Sequence, residues 1–271
     1  MLELPAHRDL FVICKTPQRS RRSRAAAILL GALIALPVFS QTAIAPYQRQ
    51  AVISQSDGVV HVTANSPRPL AQILDALLQK FAWPVSYEDP RYGAAADLTS
   101  THVGSSQVKV PSGGNFAVEF SENAPDEEKT LRAVVDQYNQ SKNPGRFELR
   151  RADGNFYVVG IAARDDRGAL ATQSVLLDFP ITISSKERTV EETVNEICSE
   201  LSAHAHTAIA IGVVPTSLLE HNKVTVGGTK VPARELLLQS VTGTHHALYW
   251  RLLFDPNSNA YTLDLHSVKP S

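Results

Sequence analysis

The chain has 271 residues, 43% of them hydrophobic and 20% charged, with a formal net charge of −1 and two cysteines. That length holds one large domain or two ordinary ones, and the composition excludes a disordered chain. Two thiols exclude a disulfide-dense scaffold or a four-thiolate zinc site, and a near-zero charge gives no electrostatic footprint for nucleic acid.

The charge is unevenly spread. Residues 1–40 carry six basic side chains (Arg8, Lys15, Arg19, Arg21, Arg22, Arg24) against two acidic ones (Glu3, Asp9), which leaves the rest of the chain at about −5. The basic cluster runs directly into Ala25–Phe39, 15 residues without a charge, followed by the small-residue stretch Ser40–Ala45. A positive flank, a short apolar run and small residues predict an export signal over 1–40. As a helix the run reaches roughly 22 Å, short of the roughly 30 Å hydrocarbon core, which favours a cleaved signal and a periplasmic or secreted protein. The alternative is an uncleaved inner-membrane anchor, in which case the N-terminal segment is the membrane contact. Arg21-Arg22 is followed by Ser23 and Arg24 where a twin-arginine signal needs apolar residues. Cys14 precedes the apolar run and is no lipid-anchored first residue of a mature chain. After cleavage Cys198 is the one remaining thiol, and in an oxidising compartment it is expected to be buried.

Past a loose segment at 41–57, Val59–Thr63 predicts a strand, and Leu70, Ile73, Leu74, Leu77, Leu78 and Phe81 fall on one face of a helix. Pro67 and Pro69 suit its first turn. Val85–Tyr87 is the next strand. After a Gly/Ser-rich stretch the pattern continues with a strand at Phe116–Phe120 and a helix carrying Leu131, Val134, Val135 and Tyr138. Asp126, Glu127 and Glu128 stand at its start, where acidic groups complement the helix dipole. Phe147–Arg150 and Phe156–Val159 form two strands across a tight turn. Residues 161–173 are expected to be a linker. The pattern then restarts: a strand-rich Val175–Ile183, and a helix opened by Thr189 and Glu192 at capping-box spacing with Val190, Val194, Ile197, Cys198 and Leu201 on one face. Strands at Ala208–Ile211 and Lys223–Val226 follow. A helix carrying Leu236, Leu237 and Val241 leads to a terminal hairpin, Leu248–Phe254 with Tyr261–Leu265. The fold class expected is α+β, with two similar small domains at 58–160 and 174–271. Each consists of two βαβ-type units, strand-helix-strand and strand-helix-strand-strand.

The segment Asn65–Leu77 (NSPRPLAQILDAL), running on to Pro84–Pro90 (PVSYEDP), resembles the secretin and TonB short N-terminal domain. Glu235–Thr244 (ELLLQSVTGT), with Tyr249-Trp250 and Tyr261–Leu263, is similar to the second half of that domain in a second copy. Together the two copies span nearly all of the expected mature chain. The stretch Tyr92–Asn115 is longer than the family pattern, and neither barrel nor pore accompanies the two copies within these residues. The resemblance implies small α+β docking modules of the bacterial envelope, of a secretion, pilus or TonB-type signalling system, and it does not carry over a channel function.

His204 and His206, with Glu200 and His221 as further ligands, allow a metal site, and His245-His246 is a second histidine pair; no HExxH motif or cysteine pair accompanies them. Cys198 lies in line with apolar residues and is expected to pack in a core. Ser184-Ser185 and Ser105-Ser106 lack the GxSxG context of a hydrolase nucleophile, and the glycines match no phosphate-cradling fingerprint. The expected function is therefore an exported, non-enzymatic periplasmic protein–protein interaction module that docks an envelope protein through an edge strand or a polar helix face. No catalytic, cofactor-binding or metal residue is assigned, and nucleic acid is not among the expected partners. The alternative is a metal-binding protein or metal-dependent enzyme using the His204/His206 region.

Overall fold

The apolar stripes legible in the sequence become helices covered on one side. The computed structural model describes residues 50–268 apart from 104, 124 and 125. The export signal expected over 1–40 lies outside the described residues. The first half of the chain forms β1 (Val52–Ser56), β2 (Val59–Ala64), α1 (Pro69–Phe81), β3 (Val85–Glu88), β4 (Leu98–Val103), β5 (Ser106–Pro111), β6 (Phe116–Ser121), α2 (Glu127–Gln140), β7 (Arg146–Ala152), β8 (Asn155–Arg164) and β9 (Leu170–Thr172). The second half forms β10 (Pro180–Thr189), α3 (Val190–Ala205), β11 (Ile209–Ile211), α4 (Thr216–His221), β12 (Lys223–Pro232), α5 (Ala233–Thr242), β13 (Leu248–Asp255) and β14 (Ala260–Ser267). The class is α+β. Among the described residues no helix is long and apolar enough to cross a membrane.

Local chemistry sets the helix ends. Pro69 opens α1, where its missing N–H is no loss. Asp126 caps α2 by accepting from the Lys129 amide. At α3 the capping box forms in full: Thr189 Oγ1 accepts from Glu192 N, and Glu192 accepts from Thr189 N. Replacing Thr189 by alanine is expected to lower stability by about 1 kcal/mol, checked as a fall in the urea midpoint at constant slope.

Strand pairing follows one scheme in both halves. β2 pairs antiparallel with β6, and β10 with β12. β3 runs parallel to β8, and β11 to β14. β7–β8 and β13–β14 are antiparallel hairpins. Both α1 and α3 end on a left-handed residue, Ala82 and His206, each three residues before the strand that follows. In register Val85 faces Phe156 while Ile209 faces Tyr261.

The halves meet through β3 and β13, which pair in parallel and join the two small sheets in the order β11-β14-β13-β3-β8-β7. The described residues consequently fall in one compact unit. One face of this sheet sends Tyr87, Phe156, Val158 and Leu253 into a core with α1 and α2. The other sends Tyr157, Val159, Trp250 and Leu252 into a core with α3 and α5.

Three segments differ from expectation. Residues 161–173, expected as a linker, carry the end of β8 and all of β9, and Ala162–Arg164 pairs with Leu170–Thr172. The apolar run of β8 continues past Gly160. The charged stretch 164–168 is a tight turn, in which Asp165 Oδ1 accepts from the amides of Arg167 and Ala169. The two expected domains therefore share one sheet instead of being separated there. The segment expected to be loose contains β1, an edge strand on β2. The long stretch at 92–115 contains the β4–β5 hairpin.

Candidate interaction surface

The joint between the halves concentrates the buried charge of the molecule. Glu88 ends β3 and is 2% exposed. Its carboxylate faces Arg234, at the start of α5, through both oxygens. It also accepts from Trp250 Nε1 at 3.2 Å. Arg234 reaches Asp178 at 2.9 Å as well, and Asp178 is in turn bound by Arg150 of β7. One residue on, Asp89 takes Arg68 Nε at 2.6 Å, the Tyr87 hydroxyl at 2.7 Å and the Phe254 amide at 3.0 Å. Arg68 donates onward to the Phe254 carbonyl at 2.6 Å. Arg251 of β13 pairs with Asp75 of α1 at 2.6 Å and donates to the Val85 carbonyl. Arg234 meets Glu88 in forked geometry, and Asp89 accepts from three donors, which is what lets charge stay buried.

The electrostatics agree with this geometry. Burial disfavours the Arg68 charge, but Asp89 beside it more than offsets that and holds the guanidinium above its ordinary range. Burial, then Asp89, pushes the Tyr87 hydroxyl well up, so it stays a donor. At the rim of the joint His266 stacks on Tyr249 at 5.2 Å. Burial, and then Arg251, hold its ring below the ordinary value of 6.5. A base whose pKa is lowered on folding contributes stability that is present above about pH 6.5 and lost as pH falls toward its folded value. The urea midpoint is thus expected to drop between pH 7 and 5.5, and His266→Gln to flatten that drop. Asp264 nearby is shifted up by burial and acts in the opposite direction.

Among the described residues, the end strands of the sheet, β7 and β11, carry no strand on their outer edges. Asn139 takes both backbone groups of Phe147 on β7, accepting its N–H at 2.9 Å and donating to its carbonyl at 2.8 Å. Strand alternation then turns the amides of Leu149 and Arg151 outward, the same way. At the other end Gly212 N and Tyr261 N tie β11 to β14, so the backbone groups of Ile209 and Ile211 face outward. Ser202 Oγ accepts from Ile209 N, and Ile211 continues the open edge. Val213 just beyond it is 44% exposed. An open edge of this kind is a template for another strand.

The structure does not gather the histidines. His204, in the last turn of α3, lies edge-on to Phe179 at 5.7 Å, while His206 is the left-handed cap of the same helix. Glu200, His221, His245 and His246 are exposed, and the latter two line a groove of about 1000 Å³ beside β12 and α5. Among the described residues no group of three or more His, Cys, Asp or Glu is placed to hold a metal ion. Cys198 is 5% exposed, and burial pushes its thiol up to about 12. Of the aromatic pair, Trp250 enters the core and Tyr249 stays at the rim. Sequence reasoning missed the joint. Two adjacent acids at the end of an apolar strand, Glu88-Asp89, with Arg68 and Arg234 at helix starts and Arg251 inside a strand, were its only signal.

Comparison of the chain with protein-family models, with curated proteins and with solved structures finds no match.

Proposed function

We propose that the protein is an exported, non-enzymatic interaction module of the bacterial cell envelope that docks a partner by adding a strand to an open end of its sheet. One observation carries the reading: the molecule already uses this mode internally, where edge β13 lies on edge β3 with buried ion pairs fixing the register. Backbone pairing supplies affinity without demanding a side-chain code, and the flanking charges supply selectivity. The basic flank and apolar run at 1–39 support export. The resemblance of Asn65–Pro90 and Glu235–Leu263 to secretin and TonB short N-terminal domains supports a docking role.

The test places a photo-crosslinking residue at Ile211 or Leu149 on the open edges, and at Arg132 on the outer face of α2, in cells. Position-dependent protein adducts from the edges and none from Arg132 are expected. Equal labelling from all three, or none from the edges, would overturn strand docking. Export is checked separately: intact mass of envelope-extracted protein should show loss of residues 1–40, and recovery of full-length chain would replace the cleaved signal with an anchor.

A further inference from the structure

The two open ends of the sheet are counterparts of the two strands that already meet inside it. Position by position, β11 corresponds to β3: Ile209, Ile211 and Gly212 stand where Val85, Tyr87 and Glu88 stand. Likewise β7 corresponds to β13. Counted from their hairpin turns, Phe147, Glu148 and Leu149 match Trp250, Arg251 and Leu252. Internally β13 covers the outer edge of β3, with Arg251 opposite Tyr87 and Leu252 opposite Glu88. The matching edges, β11 and β7, are left at opposite ends of the same sheet. We infer that the protein assembles head to tail with itself, β7 of one copy lying parallel along β11 of the next and repeating the internal joint.

The positions that side chains already occupy fit this pairing. Asn139 takes the backbone of Phe147, and Ser202 takes the amide of Ile209. Their counterparts Trp250 and Val85 are the positions where the internal joint is also held by side chains: Trp250 N donates to Ser86 Oγ, and the Val85 carbonyl accepts from Arg251. The internal ladder proper starts one residue later and comprises two facing pairs plus the bond from Asp89 N to the Leu252 carbonyl at 2.8 Å. On the open edges the backbone groups of Leu149 and Ile211 point outward, whereas Glu148 turns toward β8 and Val213 N, the counterpart of Asp89 N, is held by Asp264 Oδ1 at 2.7 Å. Side-chain charge does not oppose the contact, because Glu148 replaces Arg251 while Ser199 stands on α3 where Asp75 stands on α1. Such an interface is heterologous: it uses different surfaces on the two copies, leaves one edge open at each end, and closes into a ring or continues as a filament.

This inference rests on the edge-docking reading and names its partner. Sedimentation velocity of the purified protein over a wide concentration range should show mass rising beyond a dimer. Ile211→Pro removes one outward N–H of β11, and Leu149→Pro one of β7, at edge positions that tolerate proline. Each variant alone should be monomeric. Their mixture should form a 1:1 dimer and stop there, because one intact β7 and one intact β11 remain. A wild-type chain that stays monomeric throughout would overturn self-assembly while leaving edge crosslinks to another protein intact. A dimer blocked by one variant and not by the other would overturn the head-to-tail geometry. Should either proline variant unfold, register is read instead by mixing Glu148→Cys with Ile211→Cys protein. A disulfide found only in the mixture supports the pairing, and its absence under oxidation overturns it.

Discussion

Replacing Glu88 by alanine is expected to cost about 3–5 kcal/mol of unfolding free energy, because it removes one partner of a buried pair and leaves the other charged and uncompensated. Arg234 is then held only by Asp178, which is 40% exposed on its side chain and shared with Arg150. Trp250 Nε1, buried against the same carboxylate, loses its acceptor. The measurement is the urea midpoint at unchanged slope. Glu88→Gln should lose less, since an amide oxygen still accepts from the indole and from one arm of the guanidinium. Combining Glu88→Ala with Arg234→Met should recover part of the loss. Removing both charges from a dry site eliminates the desolvation cost that a single deletion leaves behind. A single-variant loss below about 1 kcal/mol would mean that the pair is solvated like a surface bridge, at odds with its burial.

The location of that pair shows what the sequence could and could not reveal. Periodicity in the chain marks faces. Leu70, Ile73, Leu74 and Leu77 on α1 and Val190, Val194, Ile197 and Leu201 on α3 announce their buried stripes, and all eight are buried. Capping residues mark ends, as Thr189 with Glu192 and Asp126 do. Neither signal says which strand lies beside which. Pairing of β3 with β13 joins residues more than 160 positions apart, and the specifying groups are charges that read locally as polar punctuation. Glu88-Asp89 before Pro90 has the composition of a turn, and Arg164–Gly168 that of a linker. What makes the first a buried site and the second a hairpin turn is the apolar strand on each side of it, Val85–Tyr87 and Phe156–Ala163. A polar residue flanked by strand on both sides in three dimensions is thus indistinguishable in sequence from one flanked by solvent. The helices were legible because each has its own apolar stripe. The sharing of one sheet was not, because that depends on the edges.

Trp250→Ala is the second substitution expected to have a large effect, about 3–5 kcal/mol for a fully buried aromatic removed from a packed site. Trp250 is 1% exposed and belongs to the core beneath α3 and α5. Its ring lies 5.2 Å from that of Tyr157, which comes from β8 of the first half. The indole therefore fills the space where the second-half core receives a side chain from the first-half sheet, and its N–H ties that core to Glu88. Alanine forfeits the ring's apolar burial, leaves a void between Tyr157 and Leu252, and strips one donor from the joint. Phenylalanine restores most of the volume but not the donor, so it should fall between the two. The measurement has an internal check. The chain holds two tryptophans, and the other, Trp83, is half-buried and stacks on Phe81 at 4.7 Å, within the first-half core. In Trp250→Ala the remaining fluorescence reports the first half alone, while far-UV circular dichroism reports both. Coincident transitions by the two probes would show that Tyr157 and Val159, reaching across from β8, still couple the halves. A fluorescence transition displaced from the dichroism transition would show that the indole is what makes one cooperative unit of two similar halves.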